Sequence, residues 1–159
     1  VRAQWPDASL TVAGQGSQAE PLRRLAADLG EAGVRFVGRV EPGGMPGLLD
    51  SADIMLNASL IDNQPVTLLE AMAAGLPVVT SAAGDIPSLV RDGETGRLVP
   101  ASDPSAMARA VGDLLAHPVA AAGIAQRARR QVERYTWAYA RRSWMEVYAQ
   151  ATDSRTEAA

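Results

Sequence analysis

The sequence contains no cysteine and no lysine, and it has a single histidine and few aromatic residues. The absence of cysteine excludes a disulfide scaffold, a thiolate metal site and a cysteine nucleophile. The single histidine, His117, leaves almost no room for a histidine metal cluster or a Ser-His-Asp triad. We therefore expect no metal site, and we expect His117, which precedes Pro118, to interact with the C-terminal end of a helix.

Long apolar runs and an excess of positive charge are also absent. The net charge of −3 argues against nucleic-acid binding, which needs a basic surface. The longest apolar stretch, residues 68–84, is interrupted by Glu70 and Pro77 and falls short of the roughly 18 uninterrupted residues of a membrane span. We expect no transmembrane segment. The predicted location is cytoplasmic, with peripheral contact at the inner membrane face as an extension of it.

Strand-like and helix-like segments alternate along the 159 residues. Short strand-like runs, several of them ended by glycine or proline, predict strands, and apolar residues at helical spacing predict helices. The alternation predicts an α/β fold, namely a Rossmann-like parallel sheet with helices on both faces and further helices at the C-terminus. The predicted strands are 10–14, 34–38, 54–58, 77–81 and 96–100. The predicted helices are 22–29, a short helix or turn at 43–51, 65–74, 103–116, and two pieces after 119 divided near 135–137.

The loop after the third predicted strand carries the residues most suited to ligand binding, because ligands of such sheets bind at the carboxyl ends of the strands. Asp62 lies in this loop, and Glu70 lies in the helix that follows it. The unpaired N–H groups and partial positive charge of a helix N-terminus hold an anion without a basic side chain. Carboxylates beside it accept hydrogen bonds from vicinal hydroxyls, so the segment suits a phosphorylated sugar.

The run Glu70-Ala-Met-Ala-Ala-Gly-Leu-Pro-Val78 makes the segment recognisable. It resembles the C-terminal nucleotide-binding domain of the retaining glycosyltransferases of family 4, which have the two-domain GT-B fold. In that family an acidic residue precedes the run by seven intervening residues, and Asp62 holds this position here. The resemblance extends over roughly residues 6–150. Further matching segments, in the same order, are 6–14, 34–38, 51–53, 84–87, 92–100 and 103–104.

The resemblance implies a role for each matching residue. Glu70 would bind the ribose hydroxyls of the donor nucleotide. Asp62, one methylene shorter than the usual glutamate, would contact hydroxyls of the donor sugar. No other side chain of this chain is assigned to catalysis, and no cofactor or metal is implied. Backbone contacts are implied to the β-phosphate by Pro65, Val66 and Thr67, and to the base by Gly38, Arg39 and Val40.

The resemblance also implies that the chain is part of a larger enzyme. The family's domain begins with a further strand and helix, whose loop supplies an arginine and a lysine that clamp the diphosphate, and an acceptor domain precedes it. We expect a nucleotide-sugar-binding domain over 1–134 without that first strand and helix, a C-terminal helix over 135–151 and a disordered tail over 152–159. The parent would be a retaining hexosyltransferase that uses a UDP- or GDP-sugar. Its acceptor would be linked to a lipid or polysaccharide, and the fragment alone would be inactive.

Two other functions compete with this interpretation. A non-catalytic interaction or regulatory module could keep the fold with a degenerate donor site, as the Asp62 substitution and the missing lysine would allow. A sugar-nucleotide epimerase fits less well, because it needs its own carboxylate and histidine constellation.

The departures from the family pattern at Gly84, Asp85 and Ser88 leave these three residues without an assigned contact. The arginine-rich segment 127–142 is interpreted as a solvated helix face, with contact to anionic lipid or to another domain as the alternative. Trp137 and Trp144 are predicted to pack the last helix against a domain.

Overall fold

A computed structural model describes residues 1–30 and 33–156 of the chain. Strands and helices alternate along the described residues as the sequence predicts. The strands are β1 (Leu10–Ala13), β2 (Val34–Gly38), β3 (Met55–Asn57), β4 (Val78–Ser81) and β5 (Arg97–Val99). The helices are α1 (Ala19–Asp28), α2 (Met45–Asp50), α3 (Val66–Ala74), α4 (Ile86–Leu89), α5 (Pro104–Ala116), α6 (Pro118–Val132) and α7 (Trp137–Thr156). Among the described helices, the short helix α4 is the one that the sequence does not predict.

All strand pairs are parallel, which confirms the α/β class. The strands form two sheets, however, in the orders β1-β2 and β3-β4-β5. Among the described strands, none pairs with the second edge of β1 or of β3, so the single continuous sheet that the alternation predicts is divided between these two strands.

Strand β4 is the centre of the larger sheet and is buried along its whole length. Successive side chains of a strand point to opposite faces of the sheet. Val78 accordingly belongs to a cluster with residues of α3, α4 and α6, whereas Val79 belongs to a second cluster formed mainly by α5 and α6. Helices therefore cover both faces of the sheet, as is usual for parallel sheets, and this cover buries β4 on both sides.

Helix α1 has the apolar stripe that its sequence predicts, but the described structure leaves this stripe uncovered. Leu25 is 53% exposed and Leu29 is 65% exposed. A contact of a different kind ties the helix to β2, since the Arg23 guanidinium lies 4.9 Å from the centre of the Phe36 ring. The β1-α1-β2 unit thus has an apolar surface that it does not itself bury.

The C-terminal helices divide where the sequence predicts. A 3-10 turn at Glu133–Tyr135 separates α6 from α7. Helix α7 reaches Thr156 and so extends into the segment predicted to be a disordered tail, while residues 157–159 lie outside the described part. Trp137 is 77% exposed and Trp144 is 60% exposed, so these rings do not pack on the described domain. Within the described residues, no helix has both the length and the apolar character needed to cross a membrane.

Replacing Leu68 by alanine tests how much the buried side of α3 contributes to the stability of the fold. Leu68 is fully buried, and removal of such a side chain costs about 2–5 kcal/mol of unfolding free energy. The matched variant Leu25→Ala, at an exposed position, should change it by no more than about 0.5 kcal/mol. Urea unfolding followed by circular dichroism measures both. Equal losses in the two variants would contradict the described core.

Candidate functional site

The loop that carries Asp62 begins at the carboxyl end of β3, where Asn57 fixes its direction. The Asn57 Oδ1 atom accepts hydrogen bonds from the backbone N–H of Ser59, at 3.1 Å, and from the Thr80 hydroxyl, at 3.3 Å. Thr80 is a fully buried residue of the neighbouring strand β4. The side chain of Asn57 therefore joins the ends of two adjacent strands and holds the start of the loop against them.

The loop after β4 supports the same segment from the side. The Ser81 hydroxyl donates to the backbone carbonyl of Ser59, and the backbone N–H of Asp85 donates to the carbonyl of Asp62 at 3.1 Å. Gly84 lies so close that an added Cβ atom would collide with the Asp62 carbonyl oxygen, and its φ is +53°. Because of this close approach, the position of Asp62 depends on a glycine at residue 84.

The N-terminus of α3 comes directly after this loop in the chain. Pro65 is buried and extended and begins the helix without a side-chain cap, and the backbone N–H of Leu68 donates to its carbonyl. Val66 and Thr67 are exposed at this end, where the first N–H groups of a helix have no intrahelical acceptor. Their N–H groups lie at the positive end of the helix dipole. Gly75, in the left-handed conformation, ends the helix as the sequence predicts.

The two predicted carboxylates lie on either side of this helix end in the sequence. Asp62 is partly buried and Glu70 is exposed. Among the described residues, neither carboxylate accepts a hydrogen bond or forms an ion pair. Glu70 follows Val66 by one helical turn, so it lies on the same side of α3. Both carboxylates are therefore free to accept hydrogen bonds from the hydroxyls of a ligand at the helix end.

The predicted base-contact segment lies at the carboxyl end of β2. Gly38 has a φ of +72° and its carbonyl accepts from the backbone N–H of Gly14 at 2.7 Å. Arg39 pairs with Glu41 at 3.2 Å on the surface, and Val40 is half-buried. No hydrogen bond or ion pair of the described residues connects Gly38–Val40 with α3. The two groups share the carboxyl ends of parallel strands, but they belong to different sheets.

Two further features, a cavity and the single histidine, lie outside this site. A cavity of about 680 Å³ lies between the N-terminal residues and α5, where the Trp5 ring packs against Gly112. His117 has its Nδ1 atom 2.9 Å from the Asp113 carbonyl oxygen at the end of α5, which is the helix-end interaction that the sequence predicts. Among the described side chains, no cluster of three His, Asp or Glu residues could hold a metal ion.

Sequence reasoning missed the residues that support the loop, namely Asn57, Thr80, Ser81 and Gly84. Asn57, Thr80 and Ser81 act through polar contacts between segments distant in the sequence, which no local periodicity reveals. For Gly84 a signal existed, since the segment 84–87 matched a family motif, but a backbone role was not assigned to it. The structure gives Gly84 and Asp85 a supporting role next to Asp62.

Residues 1–117 match the family model of the glycosyl transferases group 1, and the chain belongs to this family. It is 36% identical over 148 residues to a phosphatidyl-myo-inositol mannosyltransferase of Mycolicibacterium smegmatis. That alignment covers 92% of this chain but only 38% of the relative. The chain thus corresponds to well under half of that mannosyltransferase.

Solved structures of GT-B glycosyltransferases show the same fold. A sucrose-phosphate synthase from Thermosynechococcus elongatus superposes with a TM-score of 0.84 at 27% identity, over 96% of this chain and 40% of the synthase. The Anabaena protein HepE, in complex with UDP-glucose, superposes with a TM-score of 0.81 at 23% identity, over 89% of this chain and 41% of HepE. The fold prediction and the family resemblance are both confirmed.

The variant Gly84→Ala tests the dependence of the Asp62 loop on its neighbour. The left-handed backbone alone should cost about 1–2 kcal/mol, and the collision with the Asp62 carbonyl adds to this cost. Gly93→Ala is the matched control, because its φ is +72° but no atom lies within 4 Å of an added Cβ. We expect Gly84→Ala to be the less stable variant in urea unfolding and to shift the backbone amide signals of residues 59–63. Equal stabilities and undisturbed signals would contradict the close approach.

Proposed function

We propose that this chain is the donor-binding part of a glycosyltransferase, which moves a sugar from a nucleoside diphosphate sugar to an acceptor hydroxyl with retention of anomeric configuration. The observation that carries the proposal is the bare N-terminus of α3 with the unengaged carboxylates of Asp62 and Glu70 beside it. Membership of the glycosyl transferases group 1 supports it, as does the complex of the similar protein HepE with UDP-glucose.

The parts of the donor would find different partners along the site. The β-phosphate would accept hydrogen bonds from the backbone N–H groups of Val66 and Thr67, which the dipole of α3 reinforces. Glu70, one turn further along the helix, would accept from the ribose hydroxyls. Asp62, before the helix, would accept from hydroxyls of the sugar. The base would lie against the backbone of Gly38–Val40.

The chemical contribution of this domain to sugar transfer would be positioning of the donor and electrostatic stabilisation. As the bond between sugar and diphosphate breaks, negative charge accumulates on the leaving diphosphate, and N–H donors that already point at it stabilise the charge without reorganisation. The acceptor hydroxyl would come from a separate domain. The 159-residue chain would therefore bind donor but transfer no sugar, and its site requires no metal in this proposal.

The divided sheet supports a missing first strand. In a dinucleotide-binding fold with strand order 3-2-1-4-5-6, strand 1 lies in the middle. The pairs β1-β2 and β3-β4-β5 correspond to positions 2-3 and 4-5-6. A strand from the parent protein, placed between β1 and β3, would join the two sheets, and its following helix would cover apolar surface of α1.

Helix α7 supports a second contact with the parent protein. Its exposed rings Trp144 and Tyr148 lie 6.0 Å apart between centroids, and Trp137 precedes Trp144 by about two turns. Exposed aromatic clusters of this kind mark interfaces. We infer that α7 packs against the acceptor domain, which is where the predicted packing of Trp137 and Trp144 would take place.

The variant Glu70→Ala tests the proposal. Hydrogen bonds to a charged group contribute about 1.5–3 kcal/mol, so the Kd for UDP or GDP should rise roughly ten- to a hundredfold. Calorimetric titration with each nucleotide measures the change. Glu20→Ala, which removes an exposed carboxylate from α1, should leave both affinities unchanged.

A deoxyribose nucleotide identifies the partner of Glu70. The unmodified chain should prefer UDP to its 2′-deoxy analogue, and Glu70→Ala should abolish this preference if Glu70 accepts from the ribose. Unchanged nucleotide affinity in Glu70→Ala would overturn the donor-site assignment and favour the non-catalytic module instead.

A further inference from the structure

Four arginines surround a shallow depression at the end of α6. Arg127, Arg130 and Arg134 project from α6 and the turn after it, and Arg91 approaches from the segment after α4. Together with Gln131 they line a volume of about 430 Å³.

Two of these arginines are fixed by the protein. The Arg127 Nε donates to the backbone carbonyl of Glu94 at 2.8 Å, and its Nη2 donates to that of Gly93 at 3.4 Å. Arg91 pairs with the Glu94 carboxylate at 2.9 Å. Gln131 donates to the Leu89 carbonyl and so ties α6 to the end of α4. The wall of the depression is therefore held in place before any ligand arrives.

The other two arginines keep their hydrogen-bonding capacity. Arg134 lies over the ring of its neighbour Tyr135, at 5.4 Å from the ring centre. Among the described residues, neither Arg130 nor Arg134 donates a hydrogen bond or pairs with a carboxylate. The nearby Glu133 is exposed and does not line the depression. No carboxylate is among its lining residues, although the chain as a whole carries a net charge of −3.

The depression is separate from the proposed donor site. Arg91 and Gly93 precede β5 and therefore lie toward the amino ends of the parallel strands. The α3 N-terminus follows β3 at the carboxyl ends. The depression and the donor site therefore lie at opposite ends of the parallel strands, so a ligand bound at one does not occupy the other.

We propose that the depression formed by Arg91, Arg127, Arg130 and Arg134 is a binding site for a phosphate-bearing ligand with two or more negative charges. Guanidinium groups donate paired, planar hydrogen bonds that match phosphate oxygens. Arg91 is already paired with Glu94, but the charges of Arg127, Arg130 and Arg134 repel one another, and a multivalent anion removes this repulsion. The phosphate can belong to a free solute or to a lipid headgroup, and both present the same oxygens.

The test uses inorganic pyrophosphate as the probe, titrated into the ¹⁵N-labelled chain in metal-free buffer with 0.15 M salt, where exposed charges are screened beyond about 8 Å. We expect saturable shifts of the backbone amide signals of Arg91, Gly93 and Arg130. In the double variant Arg130→Gln/Arg134→Gln the Kd from these signals should rise about tenfold. Shifts at Val66 and Thr67, from pyrophosphate at the donor site, should not change in this variant.

The matched control is Arg24→Gln/Arg109→Gln, which removes the same charge from exposed positions on α1 and α5. It should leave the Kd from the α6 signals unchanged. Absence of shifts around α6, or an equal loss in the control, would overturn the proposal.

Vesicles distinguish the source of the phosphate. If the site accepts a lipid headgroup, the chain sediments with phosphatidylglycerol-containing vesicles but not with pure phosphatidylcholine, and the α6 double variant loses this binding. If pyrophosphate binds but vesicles do not, the ligand is a free phosphate compound.

Discussion

Leu68, Ala71 and Met72 are completely buried on the inner side of α3, and this contact fixes the helix whose N-terminus forms the centre of the candidate site. The helix packs on α6 and on strands β3 and β4, so its inner side is fixed by apolar burial. Its outer side and its N-terminus are thereby left bare. Val66, Thr67 and Glu70 are exposed because Leu68, Ala71 and Met72 are not, and a rigid helix end is what a diphosphate requires.

Polar contacts between adjacent loops complete the arrangement. Asn57, Thr80 and Ser81 hold the start of the β3–α3 loop, and the close approach of Gly84 places Asp62 ahead of the helix. At the tip of α3 the donors available to an anion are backbone N–H groups. Four arginines line the depression around α6 instead. The anion site proposed at α3 thus relies on the backbone, whereas the one proposed at α6 relies on side chains.

Much of the fold was predictable because the signals are local. Asp103 at the start of α5 accepts a hydrogen bond from the backbone N–H of Ala106 at 2.8 Å, and aspartate is a preferred residue at this position before a helix. Gly75 ends α3 in the left-handed conformation. Contacts between distant segments were not predictable. The hydrogen bond from Thr80 to Asn57 joins residues of different strands, and helical periodicity in α1 does not tell whether Leu25 finds a partner. The residues of the site were found through the family motif, since two acidic residues eight positions apart have no distinctive pattern of their own.

The binding of a nucleoside diphosphate at the tip of α3 is the central claim, and an amide-resolved NMR titration of the chain with UDP and GDP tests it most directly. One of the two nucleotides should produce saturable shifts at Val66, Thr67 and Glu70, with smaller shifts at Gly38–Val40 where the base would lie. No shift at millimolar nucleotide, or shifts confined to other parts of the chain, would contradict a donor site at this helix end.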